Sequence, residues 1–241
     1  MPETGITTEF EIKAQQKPQN NNKNNSSNTS NNTIVSKAKT NRNKNTLALN
    51  AKLKVSQTRN KINISWGKVQ GAKGYDVYVQ YCGKTFNAKS LNQVKSGSKT
   101  KITVKKVNGK KLNLKKNYKI YIVAYTCQGT KKVELVKSIV SHIVGRKNTK
   151  QTNVKAIHLQ KSKFTLKTGR TAVIKGKTIL LNAKKKPLSD KHAKTFRYAS
   201  GNKNIATVSK NGKIKAIAKG KCTIYVYARN GYTKKVQVTV K

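Results

Sequence analysis

Along most of the chain, apolar and polar residues alternate with a period of two. Ile62, Ile64 and Trp66 fall on one face of their segment and Asn63 and Ser65 on the other. Tyr75, Val77, Val79 and Tyr81 alternate with Asp76, Tyr78 and Gln80, and Tyr118, Ile120, Ile122 and Ala124 with Lys119, Tyr121, Val123 and Tyr125. Cys222, Ile224, Val226 and Ala228 alternate with Thr223, Tyr225 and Tyr227, and Asn230-Gly231 turns the chain into Val236, Val238 and Val240. Runs of this length, separated by turn residues, predict half-buried strands. Asn-Gly between two such runs predicts a hairpin. No segment shows a convincing helical period, so no substantial helix is expected in either module.

The pattern is absent from residues 14–45, an Asn-rich stretch with almost nothing to bury. Burial there cannot offset the entropy of ordering, so residues 1–45 are expected to form a disordered tether. The strand patterns then divide into two units, residues 46–146 and 154–241, with residues 147–153 as linker. The expected fold is all-β: two immunoglobulin-like β-sandwiches in tandem.

The residues from 46 to 146 resemble a fibronectin type III domain. The resemblance is carried by Trp66 on the second strand, by Ala72-x-Gly74-Tyr75-x-Val77-Tyr78, and by Tyr118-x-Ile120-x-Ile122-x-Ala124-Tyr125 preceded by Leu112. It implies that Tyr118 is a corner tyrosine bonded back to the loop before it. The prolines usual near the start of that domain and before the corner are missing. Residues 154–241 resemble the group 2 bacterial immunoglobulin-like domain of intimin- and invasin-type adhesins. Here the carriers are FTLKTG from Phe164, SGNKNIATVSKNGKIKAIAKGKCTIYVYA from Ser200, and the closing KKVQVTVK. The two resemblances imply an extracellular, cell-surface or cell-wall protein, serving as a spacer or as an adhesion module for a wall polymer, a glycan or another surface component.

Charge adds a second theme. The chain has 241 residues, with 54 Lys and Arg against 6 Asp and Glu, for a net charge of +48. Such a surface attracts polyanions such as teichoic acid, acidic glycans or nucleic acid. Lysine supplies point charges rather than planar recognition, so non-specific polyanion binding is the alternative function. Frequent Lys, Asn and Ile also suit the AT-rich codons of a low-GC, Gram-positive bacterium, which would make part of the excess a mark of the genome. No apolar stretch is long enough to span a bilayer, and no signal peptide is visible. Met1-Pro2-Glu3-Thr4-Gly5 resembles a wall-sorting motif but stands at the wrong end of the chain, and reads as chance.

Chemistry is sparse. His142, His158 and His192 share no metal-ligand spacing, and no CxxC pair is present. Gly83-Lys84-Thr85 and Gly176-Lys177-Thr178 lack the first glycine of a P-loop. After residue 11 the carboxylates are Asp76, Glu134 and Asp190 alone, too few for the flanking pair that glycoside hydrolysis needs. No catalytic residue, metal or cofactor is expected, and the chain is expected to be monomeric and not an enzyme. A second alternative makes it the C-terminal accessory part of a larger secreted enzyme. The candidate binding residues are the outward-facing tyrosines Tyr78, Tyr121 and Tyr125 of the first module and Tyr225 and Tyr227 of the second, which could stack sugars or bases. The competing reading is cross-strand packing.

Cys82, Cys127 and Cys222 form no disulfide framework. If Tyr75 lies opposite Tyr125, Cys82 and Cys127 sit at opposite ends of a strand pair, roughly 30 Å apart at about 3.4 Å per residue. A disulfide needs Cα atoms within about 7 Å, so free thiols are expected.

Overall fold

The computed structural model describes residues 41–90 and 92–241. Most of the expected tether, residues 1–40, lies outside the described residues. Its last five residues do not fit the expectation, because residues 41–51 form a helix, α1. This corrects the reading of residues 1–45 as tether at its last five residues and adds one short helix to an otherwise all-β fold. Leu47, Leu49 and Leu53 alternate as a strand would. They also fall at helical spacings with buried Asn50, and tertiary contacts select the helix. Asn50 accepts from Ile139 N and donates to Thr46 O, both at 2.9 Å. A Cβ on Gly67 would lie 1.8 Å from Ala48 O. The helix backbone therefore sits directly on Gly67, whose N–H donates to Leu49 O.

The first sandwich is built from β1 (Lys54–Thr58), β2 (Lys61–Ser65), β3 (Gly74–Tyr81), β4 (Asn92–Val94), β5 (Lys101–Val104), a small hairpin of β6 (Lys106–Val107) and β7 (Lys110–Lys111), β8 (Tyr118–Gln128), β9 (Lys131–Lys137) and β10 (Ser141–Ile143). One sheet runs β1-β2-β5 and the other β10-β8-β3-β4, with β9 pairing the far end of β8. The expected inward residues fill the core: Ile62, Ile64, Trp66, Tyr75, Val77, Tyr118, Ile120, Ile122 and Ala124 are all buried. Trp66 meets Tyr75 edge-on at 5.1 Å. The Tyr118 hydroxyl donates to Asn113 O at 2.9 Å, forming the expected tyrosine corner.

The β3–β8 register differs by one residue from expectation, with Gly74 opposite Tyr125 and Tyr81 opposite Tyr118. Cys82 then lies beside Asn117, and Cys127 pairs with Lys132 at the other end of β8. Both are free, as is buried Cys222.

The second sandwich comprises β11 (Val154–Leu159), β12 (Lys163–Leu166), β13 (Thr171–Val173), β14 (Gly176–Leu180), β15 (Phe196–Ser200), β16 (Ala206–Val208), β17 (Lys213–Ala216), β18 (Gly220–Ala228) and β19 (Thr233–Val240). Its sheets are β12-β19-β18-β15, β13-β17-β16 and the pair β11-β14. The core holds Ile214, Cys222, Ile224, Val226, Val236 and Val238. The motif opening at Ser200 is explained by turn chemistry. Ser200 Oγ donates to Ala206 O at 2.6 Å, and the N–H groups of Ile205 and Ala206 return to Asn202 O.

The segment expected as linker is hydrogen-bonded along its length. Lys147 N donates to Leu114 O, Asn117 Nδ2 to Gln151 Oε1, and Thr152 N to Lys186 O. Asn153 bonds Val144 through both its side-chain oxygen and nitrogen. Beyond the linker, β10 also touches the second module, where His142 N donates to Arg229 O at 2.8 Å.

Candidate functional site

Among the described residues, chemistry gathers at the tyrosines of the outer β3–β8 face, at the buried junction between modules, and in a lysine-rimmed cleft beside that junction.

Tyr78 and Tyr121 stand opposite one another on β3 and β8, and their rings stack at 4.4 Å with 9° between planes. Phe86 meets Tyr121 edge-on at 4.6 Å, and Lys137 Nζ lies 4.5 Å from the Tyr121 ring centre. Lys119 Nζ covers Phe86 at 4.3 Å. Burial pushes the Tyr121 phenol up to about 12, helped by Tyr78 and Glu134. These rings thus spend their faces on each other and on lysines, as cross-strand packing does.

Tyr125 corrects the expectation of an outward, accessible ring. It is 5% exposed, because it lies over Gly74, where a Cβ would come within 2.3 Å of its hydroxyl, and under Lys132, whose Nζ is 4.1 Å from the ring centre. Lys132 is fixed in turn by Asp76 at 2.9 Å.

Tyr225 and Tyr227 part company as well. They are parallel on the outer face of β18, 6.3 Å apart. Tyr225 is half-buried, but Tyr227 is 1% exposed, which corrects the reading of both as solvent-facing. Arg197, opposite Tyr227 on β15, reaches across to donate to Val140 O, and also to Ala228 O and Arg229 O. Burial pushes the Arg197 guanidinium down to about 10, with Arg229 adding to the effect, yet an arginine stays charged at neutral pH. Burial, with Arg197 and Lys119 nearby, holds the His142 imidazole down at about 4. Ser141 Oγ, His142 Nδ1, Arg197 Nε and Tyr227 Oη are all buried there without a partner among the described residues.

Arg229, 5% exposed, anchors the edge of the junction. Its guanidinium pairs with Asp190 and bonds Thr195 Oγ1 at 2.9 Å, and its Nε donates to Ala193 O. Burial acts to raise Asp190, but Thr195 and Arg229 outweigh it and hold the carboxyl below its ordinary value. Glu134 pairs with Arg42 at 3.7 Å, so each of the three carboxylates among the described residues is in an ion pair. No group of three or more potential metal-ligating side chains occurs among the described residues.

The cleft has a volume of about 820 Å³ and takes Lys115 from the first module, Lys147 and Lys150 from the linker, and Lys186 from the second module. A comparable groove of about 830 Å³ on the outer face of β1-β2-β5 is lined by Lys54, Lys95, Lys99 and Lys101 among serines and Thr103. Sequence reasoning singled out neither. Nothing in the local pattern brings Lys115 and Lys186, 71 positions apart in the numbering, to the same loop cluster.

Residues 162–240 match the family described as bacterial Ig-like domain (group 2). Over residues 162–240 the second module is similar to the bacterial Ig-like domains of this group. Its match begins just before β12 and ends at the last residue of β19. The module ahead of this Ig-like domain keeps the tyrosine corner and the two-sheet strand order consistent with a fibronectin type III domain. No curated protein matches the chain. Among solved structures, domains 4 and 5 of the S-layer protein SbsC align with 17% identity over 66% of this chain and 91% of theirs, at a TM-score of 0.30. Domains FN1–FN3 of chicken CNTN1 align with 13% identity over 78% of this chain and 64% of theirs, at a TM-score of 0.29. The C-terminal fragment of intimin, solved with the intimin-binding domain of its translocated receptor, aligns with 13% identity over 79% and 64%, at 0.25. Among the described residues, no helix is long and apolar enough to cross a membrane.

Proposed function

We propose that this chain is a non-catalytic segment of a bacterial surface protein that works as a rigid two-module spacer, presenting or supporting an adhesive element outside the cell. The observation that carries the reading is the junction. A spacer transmits position only if its modules do not swivel, and here Arg197, His142 and the 147–153 segment tie one sandwich to the other through backbone and side-chain hydrogen bonds. Inter-domain interfaces that are small and polar normally permit relative motion. A junction with Tyr227 and Arg229 buried in it opposes that motion. The bacterial Ig-like family of the second module supports the surface location. Engagement of a wall polymer or another surface component is the companion role.

The test is residual dipolar couplings measured on the isotopically labelled chain. A single alignment tensor fitting both modules is the expected result. Two independent tensors would sink the rigid-spacer reading.

A further inference from the structure

We propose that the lysine-rimmed cleft at the module junction is a binding site for a linear polyol-phosphate chain, a polymer of short polyols joined by phosphodiesters. The proposal goes beyond the spacer role. The four lysines are exposed, but their backbones are tied to one another. Asn148 Nδ2 donates to Lys115 O, and Lys147 N donates to Leu114 O. Lys150 N donates to Asn148 Oδ1, and Lys186 N donates to Lys150 O. The loop carrying Lys115 is held by the tyrosine corner, since the Tyr118 hydroxyl bonds Asn113 O while Asn113 Oδ1 accepts from Lys115 N. Four positive charges from two modules and the linker are thus mounted on one hydrogen-bonded frame, which reduces the ordering cost of binding.

The site keeps its charge. The carboxylate in its wall, Asp190, is engaged by Arg229 and Thr195. Among the described residues no carboxylate pairs with these lysines, which favours a ligand with repeated anions. Pro187 and Leu188 add an apolar surface to the lining, which suits the carbon backbone between phosphates. The cleft lining contains no aromatic side chain. Sequence-independent binding of single-stranded nucleic acid rests largely on stacking bases against such rings, so the lining favours a polymer without bases.

The experiment is a titration of the full chain with a glycerol-phosphate oligomer of defined length at two salt concentrations, alongside two quadruple variants. The cleft variant is K115Q/K147Q/K150Q/K186Q. The control, K54Q/K95Q/K99Q/K101Q, removes the same charge from the groove on β1-β2-β5. The cleft variant is expected to bind at least about tenfold more weakly, and its log affinity–log salt slope to shrink by about 3, if each lysine neutralises one phosphate of a single chain. The control should lose less than about threefold under the same electrostatic logic. A third variant with arginine at the four cleft positions should retain binding and shows that any loss comes from charge rather than misfolding. Equal losses in cleft and control variants would overturn the site, leaving only diffuse attraction. No binding by the natural chain would overturn it too. If an oligothymidylate of equal charge binds as tightly and loses as much on the cleft substitutions, the polyol-phosphate assignment fails in favour of nucleic acid.

Discussion

Tyr121 of β8 and Tyr227 of β18 occupy the same kind of position, on the outer face of a long central strand, yet they meet opposite fates. Tyr121 on β8 stacks with Tyr78, takes Phe86 on its edge and carries Lys137 above it, within a cluster that remains at the surface. Tyr227 on β18 is buried beside Arg197, which reaches across to Val140 of the other module, and its hydroxyl has no partner among the described residues. Strand periodicity decides which face a side chain takes. Whether that face meets water is decided by what docks on it. Tyr121 stays partly exposed, while Tyr227 lies buried beside the junction.

The strongest way to test this contrast is to truncate the ring that the junction buries. Tyr227→Ala should cost about 3–5 kcal/mol, as for large aromatic truncations in cores, and should reduce the coupling between modules. Tyr227→Phe should be neutral or stabilising, by up to about 1–3 kcal/mol, because the hydroxyl it removes is buried without a partner. Chemical denaturation of both variants checks the pair. A Phe variant destabilised as much as the Ala variant would mean that the hydroxyl has a partner. The next effect in size belongs to α1. Gly67→Ala would push a methyl against Ala48 O, whose distance to an ideal Cβ is 1.8 Å. Overpacking of this sort costs about 1–3 kcal/mol. Hydrogen exchange should show residues 41–51 losing protection first. Uniform protection across the first module would argue against a helix seated on that glycine.

Much of this architecture is written in the alternation. The inward residues of β2, β3, β8 and β18 were all legible, because a sandwich core needs one apolar face per strand. The tyrosine corner and the Ser200 turn were legible because they are local chemistry. The helix was not. Residues 41–51 carry Asn and Ala beside two leucines, and the pattern from Leu47 to Val55 fits a strand as well as a helix until Gly67 and Ile139 supply partners. Gln80 interrupts the expected pattern of β3, being buried through bonds to Asn87 and Asn108 that come from distant loops. The candidate tyrosines were read correctly for face and incorrectly for exposure at Tyr125 and Tyr227. The lysine cleft was invisible because its members are assembled by the junction.

The pH dependence of the junction sharpens the comparison further. An unfolded histidine titrates near 6.5, while burial and the neighbouring Arg197, Lys119 and His192 hold His142 at about 4 in the folded chain. Between those values the unfolded chain binds the proton and the folded chain does not. The stabilising contribution is therefore complete above about pH 6.5 and is lost as pH falls towards 4. With His142 only partly buried, a contribution of about 1 kcal/mol is expected after allowing for solvent screening. His142→Gln should flatten the dependence of melting temperature on pH between 6.5 and 4. An unchanged slope would show that the histidine is solvated and the junction open.

The smallest effect expected is on the surface that remains a surface. Tyr121→Ala removes one stacked partner of Tyr78, the edge contact of Phe86 and the seat of Lys137. Cross-strand aromatic pairs are worth about 0.2–1 kcal/mol, and exposed cation–π contacts about 0.5–1 kcal/mol. These contacts share one ring and relax together, so the loss should stay near 1 kcal/mol, well below that at Tyr227. Tyr121→Phe keeps the ring and should change stability by less than about 0.5 kcal/mol. Denaturation midpoints of the two variants, set beside those at Tyr227, measure how far burial separates two tyrosines that share one sequence pattern. Equal losses on alanine substitution would show that the outer face of β8 is also covered, and the contrast between the modules would collapse.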